Sequence, residues 1–384
     1  MSFDLTSLED LQVGDPLEKH EPFEVSKYYH KPESEYKTIA EIVHHIKTRE
    51  KAVNVYSDSL RKNGQLIQDS FEKYLNSPYN SSNMLKKALL TPRHYTFEKE
   101  YNEELQKYKS KKHFDLGTFL HQCILEPTKF SRVIVEPPTN RSIKKELINL
   151  CEFWEKECVE RDIEVIPYGM LEDMKNDEIK KLIENMKNSC NLQSVTASDY
   201  IKIKAAKNSF DMYGGGILHE IMKRSKREVS LYYEDEETNI PLRIRPDAIQ
   251  FQENIGVNAC ISVKSTSATD TKKFMSDCAK YHYDLSEAMY LDVLRKVTGR
   301  DFDTCLMIMF QTVEPYSIAV FRWRPEDIAI GHYKYRYALN NIKDFENNPY
   351  LSYDSYAEEG NAGIIDSSLP AWNSVEFPAV NYNV

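Results

Sequence analysis

No run of 18 apolar residues occurs in the 384-residue chain, which excludes a membrane-spanning helix. The start, Met1-Ser2-Phe3-Asp4, has no basic-then-apolar pattern, so a secretory leader is not expected. The clustered cysteine spacing of zinc or iron–sulfur sites is also missing, because the seven cysteines contain no CxxC pair. Cys123, Cys151, Cys158, Cys190, Cys260, Cys278 and Cys305 read instead as reduced, mostly buried thiols of a cytoplasmic protein. Glycine is scarce, with 12 residues, and Gly214-Gly215-Gly216 is not followed by Lys-Ser or Lys-Thr. That triplet is a turn or close-packing point rather than a phosphate loop. An excess of positive charge is lacking too. The net charge of −10 argues against a surface that coats nucleic acid but leaves room for a local basic groove.

What is present is a soluble, globular composition, 41% hydrophobic, enough for one large domain or two ordinary ones. Basic residues bunch at Lys86, Lys87, Arg93, Lys107, Lys109, Lys111 and Lys112, at Lys202, Lys204 and Lys207, and at Lys223, Arg224, Lys226 and Arg227. Solvated helix faces account for any one of these clusters.

Residues 1–80 read as an N-terminal extension, polar to about Ser34 and helical from there to Leu75, where Leu66, Ile67 and Phe71 continue the helical spacing. A helix begins near Ser81-Ser82-Asn83 and Pro92 closes it; another covers Leu116 to Leu125; Phe130 to Val135 reads as a strand; 141–226 is largely helical. Then Glu228–Tyr233, Leu242–Gln250 and Gly256–Ser265 read as three strands, with Glu228 opening the first and Asp247 inside the second. Helices follow over Thr271–Ala279 and Tyr283–Val297, then strands Cys305–Gln311 and Tyr316–Trp323, and a last helix from Arg324 to Phe345. The order predicts an α/β core with a mixed central sheet flanked by helices over 81–345, a helical N-terminal arm, and an irregular tail over 346–384 packing on the core.

The chemistry concentrates in 228–264. Phosphodiester hydrolysis needs a hard cation held by carboxylate oxygens, and a cation of the protein beside the phosphate. Glu228, Asp247 and Lys264 supply those types on neighbouring strands, and strand periodicity puts Ser262 and Lys264 on one face.

These residues also carry a resemblance. Ser82-Asn83-Met84-Leu85-Lys86 with Thr91-Pro92-Arg93-His94-Tyr95, then Gly117-Thr118-Phe119-Leu120-His121 with Leu125-Glu126-Pro127 and Phe130, match successive motifs of one family. So do Glu228-Val229-Ser230, Arg245-Pro246-Asp247, Ser262-Val263-Lys264-Ser265-Thr266, Tyr283-Asp284 with Tyr290, and Leu369-Pro370-Ala371-Trp372. In this order they resemble the PD-(D/E)XK nuclease superfamily, specifically the RecE-like (exodeoxyribonuclease VIII) phage exonucleases, over about 80–373. The resemblance implies a restriction-endonuclease-like fold and a Mg²⁺- or Mn²⁺-dependent exodeoxyribonuclease that digests linear duplex DNA from an end. It implies Asp247 as a metal ligand, His121 at a metal or the phosphate, Glu228 supporting a metal or the 5′ end, Lys264 positioning the attacking water and Tyr290 lining the substrate path, with Arg245, Ser262 and Ser286 as further substrate-binding residues. It also implies a ring-shaped homo-oligomer, a single-strand annealing protein as partner, no membrane, and a phage or bacterial cytoplasm.

Two positions depart from the pattern. Ser262 stands where the family has an acid, and Ser286 where it has Gln. A hydroxyl lacks the charge that offsets dehydration of Mg²⁺. Either the carboxylate has moved to the following helices, with Glu287 the first candidate and Asp277 the second, or cleavage is lost and the chain is a DNA-binding or interaction module.

Overall fold

The computed structural model describes residues 24–55, 65–67, 69–108 and 116–347. Residues 1–23 and 348–384, with Leu369-Pro370-Ala371-Trp372, lie outside the described residues, as do Lys109, Lys111 and Lys112. The first half contains α1 (Ile39–Thr48), β1 (Gln65–Ile67), α2 (Phe71–Leu75), α3 (Ser82–Leu90), α4 (Pro92–Tyr108), α5 (Leu116–Leu125) and α6 (Pro127–Phe130). It continues with β2 (Ile134–Glu136), α7 (Lys144–Val159), α8 (Asn176–Cys190), β3 (Ser194–Thr196), α9 (Ala197–Met212) and α10 (Ile217–Met222). The second half contains β4 (Lys226–Arg227), β5 (Ser230–Glu234), β6 (Pro241–Ile244), β7 (Ala248–Gln250), α11 (Gln252–Ile255) and β8 (Asn258–Thr266). It closes with α12 (Thr271–Lys280), α13 (Tyr283–Thr298), β9 (Phe302–Gln311), β10 (Ile318–Arg322) and α14 (Pro325–Asn347).

The central sheet runs β10-β9-β8-β7-β4 and is mixed: β8 and β9 are parallel, the other neighbours antiparallel. Parallel neighbours need a long crossover; α12 and α13 provide it. Asn258 to Val263 of β8 are all buried, as expected of a strand covered on both faces. On one face Cys260 packs with Leu285 and Met289 of α13; on the other Ala259, Ile261 and Val263 pack with Phe119 and Leu120 of α5. Helices α13 and α14 approach closely because residue 331 is glycine: a Cβ there would lie 2.2 Å from the Asp284 carbonyl oxygen. Any side chain at 331 forces these helices apart. A third cluster, around Trp154, joins α7 to α8.

A second sheet, β1-β5-β6, lies beside the first. Several expected boundaries change because of it. Leu66 and Ile67 form a strand, not a helix: β1 pairs antiparallel with β5, Gln65 opposite Tyr232. Three apolar-rich residues do not distinguish the two periods, and the pairing decides. Leu242–Gln250 is not one strand. β6 belongs to the smaller sheet and β7 to the central one, so the chain changes sheets at Arg245-Pro246-Asp247. Proline cannot donate to a ladder, which favours the break there. Glu228 does not open a strand either. It has a left-handed φ of 53° between β4 and β5, at the second crossing between the two sheets. Pro92 starts α4 as well as ending α3, and only Ile134–Glu136 of the strand expected after Phe130 is extended. The other helices and strands from Leu116 onward lie close to their expected positions, and all seven cysteines are buried and free.

Candidate active site

The two sheet crossings meet: the Glu228 N–H donates to the Asp247 carbonyl at 3.2 Å. A crossing leaves backbone groups without ladder partners, and buried ones must be satisfied. The Asp247 carboxylate does this for β8, with Oδ2 accepting from the Val263 N–H at 2.6 Å. That bond aims the carboxylate along the strand carrying Ser262 and Lys264. Its other oxygen lies 3.9 Å from Nδ1 of His121, which α5 brings in. Burial holds the His121 imidazole below the ordinary histidine range; Asp247 pulls it back up and Lys264 pushes it further down. At neutral pH the ring is uncharged and offers a lone pair.

The linkage has a definite sign. As pH falls below about 6.5 the unfolded chain takes up the proton first, so stability drops towards the lowered folded value. His121→Asn is expected to reduce the loss in urea midpoint between about pH 7.5 and about pH 5.5, with His30, His282 and His332, shifted the same way, keeping the remainder. An unchanged loss would show that His121 does not titrate as placed.

Ser262 is 2% exposed and its Oγ donates to Oε1 of Glu287 at 2.6 Å. Glu287, 1% exposed, comes from the first half of α13. An acid is therefore present beside position 262, delivered by the helix instead of the strand. Its other oxygen accepts from Sγ of Cys305 at 3.0 Å. Lys264 completes the row. Burial opposes its charge, but Asp247 and Glu287 outweigh this and raise it above the ordinary lysine value. Its ammonium lies 5.5 Å from the Tyr283 ring centroid.

The remaining candidates divide. Asp277, on α12, is half-buried and acts electrostatically on Cys278 and Tyr283; it makes no hydrogen bond or ion pair with Asp247, Ser262 or Lys264 among the described residues. Tyr290 lies on α13 within the electrostatic reach of Glu287 and Asp247, and burial holds its phenol well above the ordinary value. Ser286 is buried beside Glu287. Arg245 is turned inward. Its Nε donates to Glu228 at 2.8 Å, its Nη1 to Ser230 Oγ at 2.8 Å and to the Asp69 carbonyl at 3.1 Å, and it lies over Phe71 and Tyr74. Burial raises the Glu228 carboxyl, Arg245 lowers it and Asp247 raises it again. Arg245→Ala is expected to cost about 3 kcal/mol by leaving Glu228 half-buried without its partner, read as a lower urea midpoint.

Sequence reasoning assigned no role to Lys86. Its ammonium lies 5.1 Å from the centroid of the same Tyr283 ring that Lys264 faces. Burial, with Lys264 adding to it, brings this lysine down to about 8. The signal was its place in the first motif, hidden by the ordinary look of a Lys-Lys pair on a helix.

A family described as "PDDEXK-like domain of unknown function (DUF3799)" matches residues 81–352. No curated protein matches the chain. Among solved structures, a candidate exonuclease from Eubacterium rectale is similar at 11% identity and a TM-score of 0.43, the match covering 79% of this chain and 96% of that one. SSO0001 is similar at 12% identity and a TM-score of 0.23, over 72% of this chain and 86% of that one.

Proposed function

The chain belongs to this PDDEXK-like family, and from that premise we propose that it is a metal-dependent deoxyribonuclease, RecE-like in digesting linear duplex DNA from an end. One observation carries the reading: buried Glu287 supplies a carboxylate at Ser262, the residue that shares its face of β8 with Lys264.

Nucleases of this superfamily generally use divalent cations. The donor set suits a hard one, since Asp247 and Glu287 are oxygen donors and His121 a neutral nitrogen donor. Asp247, with His121 beside it, and Glu287 would hold Mg²⁺ or Mn²⁺ partly through water, because the ligand atoms of the three do not all lie within 4.8 Å of one another; the ion would lower the pKa of water and stabilise charge on phosphate. Lys264 stays protonated, so its role is electrostatic: it orients the attacking water and offsets charge on the phosphate. Lys86 adds a second cation across Tyr283. Glu228 and Arg245 fix the crossing that carries Asp247, and Tyr290 lines the substrate path. The nuclease domain proposed spans 81–345, and within the 1–80 arm β1 pairs with β5 of that domain; the tail lies almost wholly outside the described residues. A ring of copies around DNA and an annealing partner follow from the resemblance.

A second reading, DNA binding without cleavage, has one observation in its favour: Glu287 is satisfied internally by Ser262 and Cys305. Digestion of end-labelled linear duplex with Mg²⁺ or Mn²⁺ separates the two. The nuclease reading expects metal-dependent product from the full chain, and a loss of about 100-fold or more in Lys264→Ala. No product at high protein concentration would leave the binding reading.

A further inference from the structure

Glu287 has two sides. Oε1 faces Ser262, and Oε2 faces two thiols, Cys305 at 3.0 Å and Cys260 at 3.9 Å. The two cysteines are register partners on the parallel strands β8 and β9, so the sheet itself holds them side by side. Cys260 is 0% exposed, Cys305 and Glu287 1%. One ligand atom from each lies within 4.8 Å of the other two, and no other group of three or more His, Cys, Asp or Glu side chains does so among the described residues. A buried acid between two thiols is costly in an apolar core, and leucine-like residues would pack there without that cost.

We propose that Cys260, Cys305 and Glu287 form a binding site for a thiophilic divalent cation of the zinc class. Zinc–sulfur bonds of about 2.3 Å and zinc–oxygen bonds of about 2.0–2.2 Å place neighbouring ligands roughly 3.5–4 Å apart, close to the spacing here. Binding breaks two S–H bonds, forms two metal–sulfur bonds and releases two protons to solvent, with no change of oxidation state. Softness separates this site from the catalytic one: thiolates select zinc-like ions, and Mg²⁺ prefers the oxygens on the Asp247 side. The two sites share Glu287. A cation between the sulfurs turns that carboxylate away from Ser262, and on the nuclease reading, on which this consequence rests, it inhibits.

The test uses the full, reduced, chelator-treated protein and Co²⁺ alone, without DNA. One equivalent is expected to give the near-ultraviolet thiolate-to-cobalt band and tetrahedral visible bands, both removed by Zn²⁺. Cys260→Ala and Cys305→Ala are expected to abolish the band, and Glu287→Gln to weaken affinity by about 10- to 100-fold. Cys158 and Cys190, whose sulfurs lie 3.3 Å apart between α7 and α8, provide the control. Removing both should leave the band intact. A missing band, a band that survives Cys260→Ala and Cys305→Ala, or one lost with Cys158 and Cys190 overturns the site. Should the alanine variants unfold, X-ray absorption of the cobalt form of the protein lacking Cys158 and Cys190 decides: two sulfur neighbours support the site, and fewer than two refute it. Cleavage is measured separately, on the metal-stripped protein with Mg²⁺ or Mn²⁺ and no cobalt: cobalt binding with no cleavage there would sink the nuclease reading and leave this site standing, and cleavage there without cobalt binding would do the reverse.

Discussion

Glu287→Gln is expected to reduce metal-dependent digestion of linear duplex by about 100-fold or more, while Asp277→Asn leaves it within about threefold. The amide keeps the shape of the carboxylate and can still accept from Ser262, so the fold survives and the loss reports the missing charge. Asp277 is the control because it lies on the same crossover yet makes no hydrogen bond or ion pair with Asp247, Ser262 or Lys264 among the described residues. Steady-state digestion rates and a thermal melt of each variant make the comparison. Equal activity of Glu287→Gln and wild type would refute the idea that the acid has moved from the strand to the helix.

The second large effect is a swap. Ser262→Asp alone puts a second buried carboxylate where a hydroxyl now lies 2.6 Å from Glu287. Two acids that close cannot both ionise, so they share a proton and the fold loses about 3 kcal/mol. The double variant, Ser262→Asp with Glu287→Ser, returns one acid and one hydroxyl to the same place from opposite elements. It is expected to regain stability to within about 1 kcal/mol and to keep digestion within about tenfold of wild type. If the double variant is no better than the single one, the carboxylate's origin on α13 matters for something beyond its position, and the exchange argument fails.

Much of this arrangement is legible in the residues. The alternating, β-branched stretch through Ile261 and Val263 reads as a strand, and the long periodic segment after Tyr283 as a helix, because both are long enough for one period to dominate. Glu287 becomes a candidate once the resemblance shows that Ser262 stands where the family has an acid and the helix after Tyr283 is read beside that strand. What the residues hide is relational. Leu242 to Arg245 alternates like the start of one long strand, and Pro246, the one local mark, does not say that the chain passes there from one sheet to another. Arg245 looks like a substrate arginine until Glu228, Ser230 and the Asp69 carbonyl are found around its guanidinium. Asp69 lies far from it in sequence and belongs to a segment whose strand, β1, is too short to read. Cys260 and Cys305 come together only through the parallel register, which no spacing rule reveals. The tail motif around Trp372 lies outside the described residues.

The pairing of β1 with β5 also sets when the molecule can exist during its own synthesis. Gln65 finds its partner only when Tyr232 has been made, and the Asp69 carbonyl waits for Arg245. β8 waits longer, for β9 and its last residue, Gln311, and α13 waits for α14, which ends at Asn347. Contacts so distant in sequence are slow to form, and helices such as α7 and α8 close first. Asp247, Lys264 and Glu287 therefore have no fixed relation to one another until nearly the whole domain has left the ribosome. On the nuclease reading, an unfinished chain is harmless to the DNA around it.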